Sequence, residues 1–423
     1  MSIQAVNAAD LVDVYKRAIE QNNDYKLIQN NKKISETQYD QTSSTIFPEI
    51  NFSAGRNDTT IERYVGPGSN TNYDTDSYNL TLRQPVFRLS FFDELEKSKF
   101  QLDKSSTYEL YHKKIVGIKT VELYFELINN KNKVREYEEK FNLAKKRLNA
   151  AEKLFVNGSI TRTEYISFQN ELESSKISKD IVVNALDSTR ADIYLFTGKR
   201  IAEIHNVNTE IKLANKIYNI KEVIRTALRS FETILMANQD LSISRSDLDS
   251  NKSQHYPTLD IVASYDYVDV SEGTRFGANK REASTVGISL NFPIYQGGYQ
   301  SARVSESRIK FENASIKLEQ AKRELEIEII DSIKNLEIQK GLIHIDKIKY
   351  QNANESFIAA KKGFMSGIYT DIEVQESKIN LISTKNKYIS TVLSYLLQDL
   401  NIKKYTNDID VLDIQEINSI LIW

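Results

Sequence analysis

The feature that most constrains this chain is a strand-to-helix junction that occurs twice. Between Thr285 and Arg303, Val286, Ile288, Leu290 and Phe292 alternate with Gly287, Ser289 and Asn291, the pattern of a strand with one apolar and one polar face. Pro293 ends the alternation, because proline brings no backbone donor to a sheet ladder. Gly297 and Gly298 supply a tight turn, and a helical pattern begins at Tyr299. The same order stands upstream: Tyr78, Leu80 and Leu82 alternate with Asn79, Thr81 and Arg83, then come Pro85, Phe87 and a helical pattern from Leu89. Pro85 and Pro293 are 208 residues apart. Pro48 and Pro257, Phe155 and Phe364, Gly158 and Gly367, Thr161 and Thr370, and Ala18 and Ala227 are each separated by 209. Such agreement in unrelated local contexts marks an internal duplication.

Residues 1–210 form the first repeat and 211–423 the second. In the first, a helix is expected from Asp10 to about Thr45, strands near 48–56 and 77–84, a long helix over 88–156, a second over 162–196, and an irregular segment. Gly66-Pro67-Gly68 reads as a loop between the strands. The second repeat follows the same plan: a helix over about 221–253, strands near 257–268 and 284–292 joined by a loop with Gly273 and Gly277, helices over 298–365 and 371–402, and an irregular tail. Heptad seams (Val134, Tyr137, Phe141, Ala144, Leu148, Ala151, Phe155; and Ile343 to Phe364) indicate coiled-coil packing of the long helices. Thr161 with Glu164, and Thr370 with Glu373, have the spacing of capping boxes at helix starts.

A net charge of -2 with interleaved signs gives no reason to expect a nucleic-acid partner. The chain has no cysteine, which excludes disulfides, thiolate metal sites and a lipidated N-terminal cysteine. No cofactor is expected. His112, His205, His255 and His344 are scattered without a ligand pair, and no nucleophile or acid–base spacing supports an enzyme. No apolar run approaches the roughly 18 residues of a transmembrane helix, and Met1 to Asp10 lacks the features of a signal peptide. An exported form would therefore be the processed chain with an added start residue. The strands match the roughly 9–11 residues of membrane-spanning β-strands. Four are too few to close a barrel and open edges cannot face lipid, so several chains must share one barrel. On this alternation, arginine at Ile288 or Leu290 should impair insertion and arginine at Ser289 should not.

Arg83-Gln84-Pro85-Val86-Phe87, Phe292-Pro293-Ile294-Tyr295-Gln296-Gly297-Gly298 and the paired turns Phe155-x-x-Gly158 and Phe364-x-x-Gly367 resemble the TolC-type outer-membrane efflux proteins. The resemblance runs along essentially the whole chain. It implies a mainly α fold with a membrane β-barrel: a homotrimer whose twelve strands form one barrel in the Gram-negative outer membrane, continuing into a long α-helical barrel across the periplasm. The function it implies is a passive exit duct for small molecules or polypeptides. The implied partners are a periplasmic adaptor (a membrane fusion protein), an energised inner-membrane ABC or RND-type transporter, and outer-membrane lipid.

In this family the narrowed entrance lies at the helix turns, where acidic residues stand six and nine positions after the turn glycine. Glu164, Glu373 and Glu376 occupy those positions here, and the turn residues Phe155, Gly158, Thr161, Gly367 and Thr370 would form docking tips. One member of the family closes the entrance through a tyrosine and an arginine bonded to neighbouring helices; Phe364 and Tyr369 stand there instead, so the acidic ring transfers more directly than the means of closure. Capping alone would account for Glu164 and Glu373, whereas Glu376, whose first-repeat counterpart is Ser167, is the more informative acid. The competing reading is a soluble coiled-coil scaffold or adaptor, which accounts for the heptads but not for the proline-bounded amphipathic strands.

Overall fold

A computed structural model describes residues 10–61, 71–201, 213, 216–271, 279–406 and 409–421. The element order is α1 (Leu11–Gln21), α2 (Asn23–Ser44), β1 (Glu49–Ile61), β2 (Thr71–Phe87), α3 (Leu89–Val156), α4 (Arg162–Thr197), α5 (Ile220–Ser230), α6 (Glu232–Ser253), β3 (Thr258–Val270), β4 (Asn279–Asn291), α7 (Tyr299–Met365), α8 (Asp371–Lys403) and α9 (Val411–Leu421). Pro67, His205, Gly273, Gly277 and Trp423 lie outside the described residues.

Several boundaries differ from expectation for identifiable reasons. The helix expected over 10–45 is two helices, because the buried Asn22 interrupts it: its side-chain oxygen accepts from the Tyr25 amide at 2.8 Å and so caps α2. The helix expected over 221–253 is likewise split, at Phe231. The strands are longer than their apolar alternation, since β1 reaches Ile61 and β2 begins at Thr71 through a run of Asn, Asp and Thr held by ladder bonds. Pro85 lies inside β2 rather than after it. The register with β3 shifts between Pro85 and Phe87, an irregularity that accommodates the missing donor. The tail expected to be irregular contains α9. Asp410 accepts from the Leu412 and Asp413 amides at its start, and Ile414, Ile417 and Leu421 bury one face.

The chain divides into two compact units. One comprises Met1–Asn30, Tyr108–Ile234 and Ala321–Trp423, the other Asn31–Thr107 and Leu235–Gln320. In the second unit the strands form one antiparallel sheet in the order β1-β2-β3-β4, so β1 and β4 each pair on one side only. The register lines the apolar residues into rows on one face. Ile50, Leu82, Ala263 and Val286 make one row, and Phe52, Leu80 and Tyr265 the next. Many side chains of this face are open to solvent: Val286 is 80 % exposed, Phe52 68 % and, in the neighbouring row, Ile288 75 %, while Leu82 and Ala263 are half-buried. The opposite face is polar, with Ser53, Asn79 and Asp266 in a row. At the base of the sheet the buried Asp260 accepts from both Arg83 (2.6 Å) and Arg88 (3.0 Å). Below it α6 packs through small polar groups: Gln239 donates to Thr107 (3.0 Å), Ser246 to Glu96 (3.3 Å) and Asn251 to Ser307 (2.8 Å).

In the first unit the four long helical segments lie in the order α4-α3-α8-α7. Asn130 donates to Thr189 between α3 and α4 (2.9 Å). Lys378 pairs with Glu139 (2.8 Å), and Asn386 donates to Glu136 (3.0 Å), between α8 and α3. Thr391 donates to the buried Asp346 (2.8 Å), and Tyr388 stacks with Tyr350, between α8 and α7. A core of Leu11, Tyr15, Tyr124, Ile193, Leu400 and Ile414 closes the unit around α1 and α9. Gly117 lets this core close: a methyl group there would approach Tyr15 and Ile409 to 3.3 Å.

Candidate functional site at the two helix turns

The first unit contains both helix turns, and their backbones are built alike. After α3, Gly158 takes φ 69, its amide bonds the Phe155 carbonyl at 2.9 Å, and the Ser159 amide reaches the Leu154 carbonyl at 2.8 Å. After α7, Gly367 takes φ 71, with Gly367 to Phe364 at 3.0 Å and Ile368 to Gly363 at 2.8 Å. Both are Schellman endings, which need a left-handed residue at the glycine position. The next helix then starts in the same way. The Glu164 amide donates to Thr161 Oγ1 at 3.2 Å while the Glu164 carboxylate accepts from the Thr161 amide at 2.7 Å. Glu373 and Thr370 repeat this at 3.3 and 2.7 Å. These are complete capping boxes. The Thr161 and Thr370 amides, helped by the hydroxyls, hold the Glu164 and Glu373 carboxyls below the usual carboxylate range.

Glu376 is engaged differently. It pairs with Arg147 of α3, whose other terminal nitrogen bonds Glu171 of α4 at 2.5 Å. One guanidinium therefore ties three helices and faces two carboxylates, leaving net negative charge. Beside it Lys146 pairs with Asp371 at 2.8 Å and holds that carboxyl low. Arg147, Glu171 and Lys146 were not evident from the sequence, where Arg147 and Glu376 are 229 residues apart. A signal does exist in the duplication. Arg147 corresponds to Ser356 and Glu376 to Ser167, so both partners depart from the repeat together.

The aromatic residues at the turns stay at the surface. Phe155 stacks on Tyr165 with centroids 5.0 Å apart, and Phe364 is 48 % exposed. Tyr369 lays its ring against Gly363, where a Cβ would come within 2.2 Å of the ring. The junction residues Pro48, Pro85, Pro257, Pro293, Gly297 and Gly298 belong to the other unit. There Pro48 and Pro257 precede β1 and β3, and Gly297 and Gly298 adopt φ 60 and 82 ahead of α7. Among the described residues no group of three or more histidine or acidic side chains is placed to hold a metal ion.

Comparison with known proteins gives a consistent result. Residues 223–408 match the family described as outer membrane efflux protein. The chain is 22 % identical to the outer membrane protein TolC of Escherichia coli K12, over 98 % of this chain and 85 % of that protein. It is 19 % identical to the alkaline protease secretion protein AprF of Pseudomonas aeruginosa, over 81 % of this chain and 72 % of that one. In fold it matches the CmeC outer membrane channel of Campylobacter jejuni with a TM-score of 0.74 at 14 % identity, covering 99 % of this chain and 94 % of CmeC. These relatives are channels rather than enzymes, and none of them favours a soluble scaffold. With residues 223–408 matching the efflux-family description, similarity to TolC along nearly its whole length and the fold of an outer-membrane channel, the chain is similar to the TolC-type outer-membrane efflux proteins.

Proposed function

We propose that three copies of this chain form a twelve-stranded barrel in the outer membrane, continuing into an α-helical tunnel, and that the assembly is a passive exit duct. The observation that carries this reading is the sheet: an exposed apolar face bounded by two strands, β1 and β4, that each pair on one side only. In lipid such edges must be closed, and joining β4 of one copy to β1 of the next closes them all. The helices support the same geometry, because α4 and α7 end the row of long helices and carry exposed isoleucines such as Ile177 and Ile345. The duct would receive cargo from a periplasmic adaptor and an energised inner-membrane transporter of the ABC or RND type. The names of AprF and of the protease secretion protein PrtF of Dickeya chrysanthemi favour polypeptide cargo as one use.

The periplasmic mouth is assigned to the two turns, with Glu376, Glu373 and Glu164 supplying negative charge and the turns themselves meeting the adaptor. Six carboxylates from Glu373 and Glu376 of three copies would concentrate cations there. In a planar bilayer the protein should be cation-selective and blocked by multivalent cations from the periplasmic side. A purified, membrane-inserted protein that prefers anions would refute the assignment of the mouth. Copurification from detergent with an adaptor and a pump tests the partners.

A further inference from the structure

The apolar face of the sheet runs on into a cleft at the start of the helices. Phe87 of β2 is in register with Leu259 of β3, and Leu259 with Leu290 of β4, which is the last row of that face on the helix side. Beside Phe87 a cleft of about 230 Å³ opens between the α2–β1 turn and the β2–α3 junction. Its cause is local. The register shift between Pro85 and Phe87 leaves Val86 without a partner on β3, and Val86 is 51 % exposed. Gln84 spans the gap to the turn, its side-chain amide donating to the carbonyls of Ile46 (2.8 Å) and Pro85 (2.6 Å). With those backbone acceptors satisfied, the cleft is lined by Ile46, Val86, Phe87 and Phe92, while Arg88 and Glu94 add one charge of each sign. We propose that this cleft seats one acyl chain of a membrane phospholipid, at the level where the hydrocarbon of the bilayer meets its headgroups. The proposal rests on the membrane reading of the sheet given above and adds to it a defined lipid site.

Size and chemistry agree with that occupant. An apolar cavity of about 150 Å³ stays dry and takes a benzene ring, so this cleft has room for a stretch of hydrocarbon chain. Phe87 is 44 % exposed and Phe92 58 %, and a chain laid against them would remove that surface from water. Arg88 shares the single carboxylate of Asp260 with Arg83, which leaves positive charge for a phosphate, and Glu94 can face an ammonium. The second repeat supplies an internal comparison. A cleft of about 80 Å³ lies at the equivalent junction, where His255 stands for Ile46, Gln296 for Arg88 and Gln300 for Phe92. The junction alone therefore does not make an apolar site. The first repeat has one and the second does not, so each chain should hold one lipid.

The test is native mass spectrometry of the delipidated oligomer in detergent, titrated with phosphatidylethanolamine. Retention should saturate at one lipid per chain. Phe92→Ser should weaken it by about tenfold or more, the loss of one buried aromatic contact. Val86→Trp, which fills the cleft without making it polar, should weaken it as well and separates occupancy from any assembly defect. Phe52→Ser, on the open apolar face, and Tyr295→Ser, at the equivalent junction, should leave it unchanged. Retention that never saturates, or that falls equally in Phe52→Ser and Phe92→Ser, would mean an ordinary lipid annulus and overturns the proposal. A trimer that retains no lipid overturns it too, the cleft then being closed by the neighbouring copy. Each of these results leaves the duct standing. A protein that stays in solution without detergent overturns both.

Discussion

Arginine at Val286 should block membrane assembly far more severely than arginine at Leu290, although both lie on the apolar face of β4. The apolar rows run from Leu259 and Leu290 at one end to Tyr267 and Tyr78 at the other. Along β3 this is a path of about 27 Å at roughly 3.4 Å per residue. A strand tilt of about 40° reduces it to about 20 Å along the membrane normal, comparable to the apolar band of about 25 Å in outer-membrane barrels. The middle row is Ile50, Leu82, Ala263 and Val286. With Val286 80 % exposed, a guanidinium there meets lipid rather than protein. The cost is about 2–4 kcal/mol at the midplane and about 0–1 kcal/mol near the interface, so Ile288 should be intermediate. A penalty of about 3 kcal/mol is a factor of more than about 100 in the insertion equilibrium. Ser289 pairs with Asp260 on the polar face, and arginine there should be tolerated. The assay is the yield of heat-resistant oligomer in the membrane fraction. Equal yields for Val286→Arg and Ser289→Arg would refute the face assignment, and a worse outcome for Leu290→Arg would refute the depth.

The remaining predictions concern the turns. Glu376→Ala should weaken multivalent-cation block and cation selectivity in planar bilayers, and an unchanged conductance record would show that Arg147 has already neutralised this acid. Thr370→Ala removes a helix cap and should cost about 1 kcal/mol without altering selectivity; thermal unfolding alongside conductance separates the two effects. Because the Glu164 and Glu373 carboxyls titrate lower in the folded chain than in the unfolded one, their capping contribution is complete above the ordinary glutamate range. It is lost as pH falls through the folded value, so Glu373→Gln should flatten the acid limb of the stability profile, and an unchanged limb would count against the capping bond. Gly363→Ala would ordinarily favour a helix by roughly 1 kcal/mol, but here it strikes the Tyr369 ring and should destabilise the second turn instead, as proteolysis at that turn would report.

How much was legible in the sequence follows from which interactions are local. The Thr161–Glu164 and Thr370–Glu373 boxes could be read because each is complete within four residues. The apolar face of β4 could be read because a strand alternates with period two. Its depth could not, since from alternation alone Ile288 and Leu290 look like central positions. Only pairing with β3, β2 and β1 shows that Val286 is in the middle row. The break at Asn22 was hidden because its side-chain cap sits in an otherwise continuous helical pattern. The α9 helix was hidden because its apolar face is short and becomes meaningful only against α1, where the Leu11 amide donates to Asn418 at 3.1 Å. Arg147 was missed because charge pairs between helices leave no spacing signal. The polar packing of α6 was missed for a related reason: serines and asparagines at buried positions look like solvent-facing residues until Glu96 and Ser307 are seen opposite them.

Whether one chain is an incomplete barrel is tested most directly by the protein mass of the detergent-solubilised particle, measured with the detergent contribution removed. Three copies, three times the chain's 48.6 kDa, is the predicted result. A stable particle of a single chain with its four strands intact would contradict it.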